Sequence, residues 1–199
     1  MSPVAEPLRP APFDVVEASR RVWLDRWDPE AASGNAAFTA ILRSHQMLMH
    51  QVESVMKAHG LTFTRYEVLV WLVAEPDTAR ALSWISTVLR VPPATVTNVI
   101  DRLESDGLVR RVAHPTDART TLAEITDRGR VVARDATVDL NDQVYRPLAL
   151  SERDRGRVTD LLGGLRARAG EFDVARSAEV IERLDAQRTA GSGTAAGDA

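Results

Sequence analysis

Between Pro93 and Leu103 small polar and branched apolar side chains alternate at helical spacing. With Val96, Val99 or Ile100, and Leu103 turned inward, Thr95, Thr97, Asn98, Asp101 and Arg102 share the outer face. These residue types can read the edges of base pairs. An asparagine amide pairs bidentately with adenine N6 and N7, a guanidinium reaches guanine or phosphate, and threonine methyls suit the thymine methyl. A good bidentate pair discriminates between bases by about 1–3 kcal/mol. Pro93 and Ala94, just ahead, add no bulk that would hold a nucleic-acid backbone away. A second basic feature follows. Arg119 ends the loop His114–Arg119 between two β-prone runs, where a narrow A·T-rich minor groove would attract it. Thr116 and Asp117 share that loop, and Asp117 is placed to hold the guanidinium. Thr64 and Arg65, at the start of another helical pattern, are candidate phosphate contacts.

Other chemistries find no support. The chain has no glycine-rich phosphate loop, no nucleophile elbow and no convincing pair of carboxylates, so an enzyme is not expected. Ser151 with Asp154 reads as a helix cap rather than part of a triad. His45, His50, His59 and His114 lack metal-ligand spacing, and no metal or cofactor is expected. The absence of cysteine rules out disulfides, thiol redox sensing and thiolate metal sites. With 44% hydrophobic and 27% charged residues the chain has the composition of a soluble globular protein. No apolar run reaches the length of a membrane span, and MSPVAEPLRPAP lacks the basic start and apolar core of a signal. A cytoplasmic home is expected, at the nucleoid when DNA is bound. The net charge is −3, yet Arg80–Thr121 holds six arginines against four acids. Position, not the total, therefore decides affinity for an anionic polymer.

The positioning elements are legible as punctuation. Residues 1–34 read as an extension, disordered at first, with a short helix over Asp14–Trp27 that Pro29, Ser33 and Gly34 break. Asn35–His59 carries a long amphipathic stripe stopped by Gly60, so 35–60 is a candidate dimerisation helix. Residues 61–126 hold the reading unit. Thr64 to Glu67 looks like a capping box opening a helix that Glu75-Pro76-Asp77 ends. Ser83 is the expected cap of the next helix, and Val91-Pro92-Pro93 the turn, with Pro93 in the first helical position. Gly107 closes the reader. Val109–Ala113 and Thr121–Ile125 then form a hairpin. Thr126-Asp127 caps a long helix through Val131, Val132, Ala136, Leu140 and Val144 that Pro147 ends. Ser151 opens another, and Ala175–Arg188 a further piece. Residues 127–188 are thus C-terminal dimerisation helices, and 189–199 read as a disordered tail. Long apolar faces at both ends exceed what the small centre can cover, so a two-fold dimer is expected.

The fold class is mainly α with a small β-wing: a winged helix-turn-helix core flanked by dimerisation helices. This order resembles the MarR family of bacterial transcription regulators over about Asn35–Gly170. Leu82-Ser83, Pro93–Asn98, the run Asp101–Val109 (DRLESDGLV), the wing Pro115–Arg119 with Leu122, and Ile125–Gly129 carry the resemblance. It implies a homodimer on a pseudo-palindromic operator in double-stranded DNA, with reader helices in major grooves and wing arginines in minor grooves. It also implies repression, often autoregulatory, and release by a small aromatic or anionic effector. Arg43, His45, Tyr66 and Trp71 are the candidate effector residues, with Met49 chemically suitable beside them. Two departures stand out: Pro92-Pro93 where a serine cap is commoner, and Asp-Ala-Arg in the wing rather than Asp-Arg-Arg. The competing reading is a winged-helix protein–protein interaction module without DNA readout. Such a module would expose aliphatic side chains on the face where this chain has Thr, Thr, Asn and Arg.

Overall fold

The computed structural model describes residues 10–74, 79–117 and 119–194, with side chains through residue 186. It comprises two compact units, Met1–Leu148 and Ala149–Ala199. In the first unit Asp14 caps helix α1 (Val15–Leu24), accepting from the amides of Val16 and Glu17. Ser19 then ties α1 to Asn35 by a 2.7 Å hydrogen bond.

Helix α2 (Pro29–Ala58) starts six residues before the expected Asn35. Asp28 accepts from the Ala31 amide at 2.9 Å, and Pro29 occupies the first position, where its missing N–H is no loss. A proline expected to break a helix here begins one, and Ser33-Gly34 are carried inside it. The stop falls where expected: Gly60 adopts φ 67° and the Leu61 amide returns to the Met56 carbonyl at 3.0 Å.

Helix α3 (Phe63–Ala74) is capped one turn-step earlier than the expected box. Thr62, not Thr64, accepts from the Arg65 amide, at 3.3 Å. Glu67 is therefore not a box partner. It lies half-buried on the helix, and burial raises its carboxyl. The expected stop at Glu75-Pro76-Asp77 lies outside the described residues.

A short strand, β1 (Ala79–Ala81), leads directly into helix α4 (Leu82–Leu89). Ser83 does not cap α4. Ala81 holds the cap position without a side-chain bond, and Ser83 sits in the first turn, its carbonyl accepting from Thr87 Oγ1. Pairing of β1 with strand β3 (Thr121–Ile125) fixes the entry into α4, so no side-chain cap is required. The turn after α4 places Arg90 in the left-handed region (φ 52°), and Ser86 Oγ donates to the Val91 carbonyl at 2.7 Å. Helix α5 (Pro93–Ser105) begins on Pro93 as expected, and buries Val96, Ile100 and Leu103; Val99 is only half-buried.

Strand β2 (Val109–Ala113) pairs antiparallel with β3 from Val109–Ile125 to Ala113–Thr121. The sheet order is β1-β3-β2, three strands rather than the two legible as a hairpin. Thr126 caps helix α6 (Asp127–Leu140) through the Gly129 amide. Ala133, Ala136 and Leu140 point inward while Val131 is exposed, the reverse of the expected role for Val131. The helix then loosens into a π-helical turn, Asn141–Tyr145, before Pro147. Met56, Leu69, Leu72, Ile85, Ile100, Leu103 and Leu140 form one continuous core from α2 to α6.

The second unit holds α7 (Glu152–Arg168), capped by Ser151, and α8 (Val174–Thr194). The α8 helix continues through residues 189–194, which read as disordered tail in sequence. No residue of α7 is buried.

One backbone approach is tight enough to exclude any side chain. A Cβ on Gly129 would lie 2.1 Å from the Leu108 carbonyl oxygen and 2.8 Å from Ile125 Cγ1. Gly129→Ala is therefore expected to destabilise the protein by about 1–3 kcal/mol, as overpacking does. A lowered urea midpoint would show it. An unchanged midpoint would mean that α6 can slide off the sheet without loss.

Candidate nucleic-acid interface

The outer face of α5 presents Pro93, Ala94, Thr97, Asn98, Asp101 and Arg102 to solvent, with Thr95 half-buried at its edge. Thr97 donates its hydroxyl back to the Pro93 carbonyl of its own helix at 3.1 Å. No α5 residue is among the exposed large apolar side chains of the described chain. The face is short, polar and unobstructed.

An acid on such a face would repel phosphates, and the structure deals with it internally. Arg111 on β2 binds Asp101 at 2.7 Å and also pairs with Glu104. Glu104 further accepts from the Arg111 amide at 2.9 Å. That backbone bond first, and the guanidinium second, hold the Glu104 carboxyl below its usual range. Arg110 is likewise committed, to Glu124 on β3 at 2.7 Å. Arg80 lies over the Trp84 ring at 5.6 Å. Of the six arginines that make this segment basic, Arg90, Arg102, Arg110 and Arg119 are exposed, Arg110 while paired with Glu124.

The wing tip departs from expectation in one respect. Asp117 does not grip the Arg119 guanidinium; it accepts from the Arg119 amide (3.0 Å) and from Thr120 Oγ1 (2.7 Å). These bonds, Thr120 first, lower its carboxyl. The acid shapes the backbone and leaves the Arg119 side chain exposed. Thr116 stands exposed beside it, and Ala118 lies outside the described residues.

Arg65, expected at a phosphate, is turned inward. Its side chain is 14% exposed, donates to the Gly60 carbonyl at 3.1 Å and pairs with Asp106 at the end of α5. Thr64 is half-buried next to it. The guanidinium thus joins the end of α2 to the end of the reader. The candidate effector residues are not gathered into one cluster. Arg43 and His45 are exposed on α2. Tyr66 is buried against Phe63, its hydroxyl 2.9 Å from Thr137 Oγ1 on α6, and Trp71 meets Trp84 edge-on.

The clamps through Arg111 and Arg65 escape sequence reading because their partners are seven and 41 residues distant and lie on different elements. An acid at an otherwise polar reading face is the one signal that a compensating cation must be near. Among the described residues no His/Asp/Glu cluster could hold a metal, and no helix is long and apolar enough to cross a membrane.

The MarR family model matches residues 59–120. The HTH-type transcriptional regulator MhqR of Bacillus subtilis is 28% identical over 136 residues, 68% of this chain and 92% of MhqR. Sco5413, a MarR family transcriptional regulator from Streptomyces coelicolor, superposes with a TM-score of 0.64 at 40% identity. The match covers 71% of this chain and 98% of that one. Sco3205, a MarR family regulator from the same organism solved in complex with DNA, shares the fold (TM-score 0.64) at 20% identity, over 70% of this chain and 88% of its own.

The Arg111 clamp carries a pH signature. A carboxyl held low in the folded state stabilises the fold while ionised. That contribution is complete above the unfolded glutamate range and is lost as pH falls through the lower folded value. Arg111→Gln is expected to shrink the loss in urea midpoint between about pH 6 and about pH 3. Equal losses in both proteins would remove the guanidinium from the effect.

Proposed function

This chain belongs to the MarR family of transcriptional regulators, and from that premise we propose a homodimeric repressor that reads a pseudo-palindromic operator. In this reading α5 enters a major groove and the wing lays Arg119 in the adjacent minor groove. The carrying observation is the reader itself: an exposed face of Ala94, Thr97, Asn98 and Arg102 with Thr95 at its edge, free of exposed large apolar side chains and with Asp101 neutralised by Arg111. An adaptor that binds proteins through this face would need the apolar side chains it lacks. Asn98 and Arg102 supply base contacts, Arg119 responds to groove width, and Thr64 with the first turn of α3 lies toward the backbone.

The second copy of the chain is supported by apolar surface that one copy leaves bare. Leu161 on α7 is 71% exposed, and Val158 and Leu165 extend the same stripe. A 17-residue helix with no buried residue is marginal in water unless its apolar face is covered. A twin surface related by a two-fold axis would cover it. A small aromatic or anionic effector belongs to the same reading, though Arg43, His45, Tyr66 and Trp71 are not gathered into one site. Its binding would bias the angle between α2 and the reading unit.

Four outcomes test this reading. Selection from random duplexes should return an inverted repeat, bound by two protomers with an affinity that falls steeply with salt. Enrichment of no sequence would overturn it. Asn98→Ala should relax one base position per half-site, at a loss of about 1–3 kcal/mol, while Arg119→Ala should weaken A·T-flanked sites more than G·C-flanked ones. Leu161→Glu with Leu165→Glu should yield monomers in sedimentation that no longer bind the full operator. Dimers of normal affinity would place the interface elsewhere.

A further inference from the structure

We propose that His114 is a positioning residue of the wing: its neutral imidazole, through Nδ1, holds the loop that presents Arg119, so the wing's hold on DNA weakens when the ring is protonated. The DNA part rests on the minor-groove reading of Arg119 above. The wing loop spans residues 114–120, between the last cross-strand pair, Ala113 and Thr121. His114 Nδ1 lies 3.1 Å from the Asp117 amide nitrogen and 3.3 Å from that of Thr116. Backbone N–H groups only donate, so Nδ1 must accept and the ring proton sits on Nε2. Asp117 completes the tip by accepting from the Arg119 amide and the Thr120 hydroxyl. The His114 amide closes the loop onto the Thr120 carbonyl at 3.3 Å.

Protonation would put a hydrogen on Nδ1 and face it with two donors. The charged group beside the ring is the Asp117 carboxylate, held low by the Thr120 hydroxyl first and the Arg119 amide second. Pairing of an imidazolium with that carboxylate would still leave the Thr116 and Asp117 amides without their acceptor, so either route remodels the tip. The charges on the strands are engaged elsewhere: Arg110 with Glu124, Arg111 with Asp101 and Glu104.

The test has two arms. In the free protein, nuclear magnetic resonance follows the His114 ring nitrogens and the Thr116 and Asp117 amides from about pH 8 to about pH 5. The amides should move with the ring. They should stay still in His114→Asn, whose side-chain oxygen accepts in place of Nδ1 and does not titrate. In the second arm, affinities for A·T-flanked and G·C-flanked operators are compared. Their ratio cancels the general attraction of an added positive charge for phosphates. It should fall about threefold to tenfold on acidification of the wild type, stay constant in His114→Asn, and be low at every pH in His114→Ala. Tip amides that ignore the ring, or a His114→Asn ratio that keeps the wild-type pH dependence, would overturn the proposal. Amides that follow the ring, with a ratio flat in every variant, would instead overturn the minor-groove role of Arg119.

Discussion

The close backbone approach of α6 to the start of β2 is the constraint on which the rest depends. Gly129 is there because nothing larger fits beside the Leu108 carbonyl. Thr126 closes the same joint from the other side, its hydroxyl shared between the carbonyls of Gly107 and Leu108 and the amide of Gly129. Gly107 itself turns the chain out of α5 at φ 69°. The end of the reader, the first strand of the wing and the first turn of α6 are thus one rigid knot. A few residues fix the angle at which α5 stands to α2 and α6, and with it the direction in which the reading face points.

Arg65 extends the knot to α2. Its guanidinium spans from the Gly60 carbonyl to Asp106, so the end of the long helix and the end of the reader share one side chain. The Nε of Arg65 is buried and lacks a hydrogen-bond partner. Burying a guanidinium this far costs free energy unless its partners stay in register, which makes the contact intolerant of small shifts. A residue that sequence reading assigns to the ligand side works instead as a joint between two elements of the protein.

What sequence could and could not show follows from the range of each signal. Local signals survived. Gly60, Gly107 and Pro93 marked the ends they mark in the structure, because φ and a missing N–H are properties of one residue. The polar face of α5 was legible because helical spacing alone separates it from Val96, Ile100 and Leu103. Signals with two local solutions failed. Pro29 can end a helix or begin one, and Asp28 in front of it decided for a beginning. Thr62 and Thr64 are both able caps, and only the exit from Gly60 selects the first. Strand β1 was invisible because three residues have no period, and it exists only through pairing with β3. The clamps at Arg111 and Arg65 are tertiary, so no rule of spacing finds them.

The charge arrangement explains how an acidic protein can bind an acidic polymer. Arginine density made the segment look basic, but Arg110 and Arg111 are occupied in holding carboxylates of the same unit. Their effect is to cancel Asp101, Glu104 and Glu124 near the reader rather than to add attraction. Arg90, Arg102 and Arg119 are exposed as well, at the turn, the reader and the wing. Few net cations mean modest non-specific attraction, since that term grows with the number of phosphates neutralised. More of the binding free energy must then come from contacts that depend on base identity and groove shape. On this account the low net charge does not weaken regulation. It raises the ratio of specific to non-specific binding, which a regulator facing a whole genome of competing sites depends on.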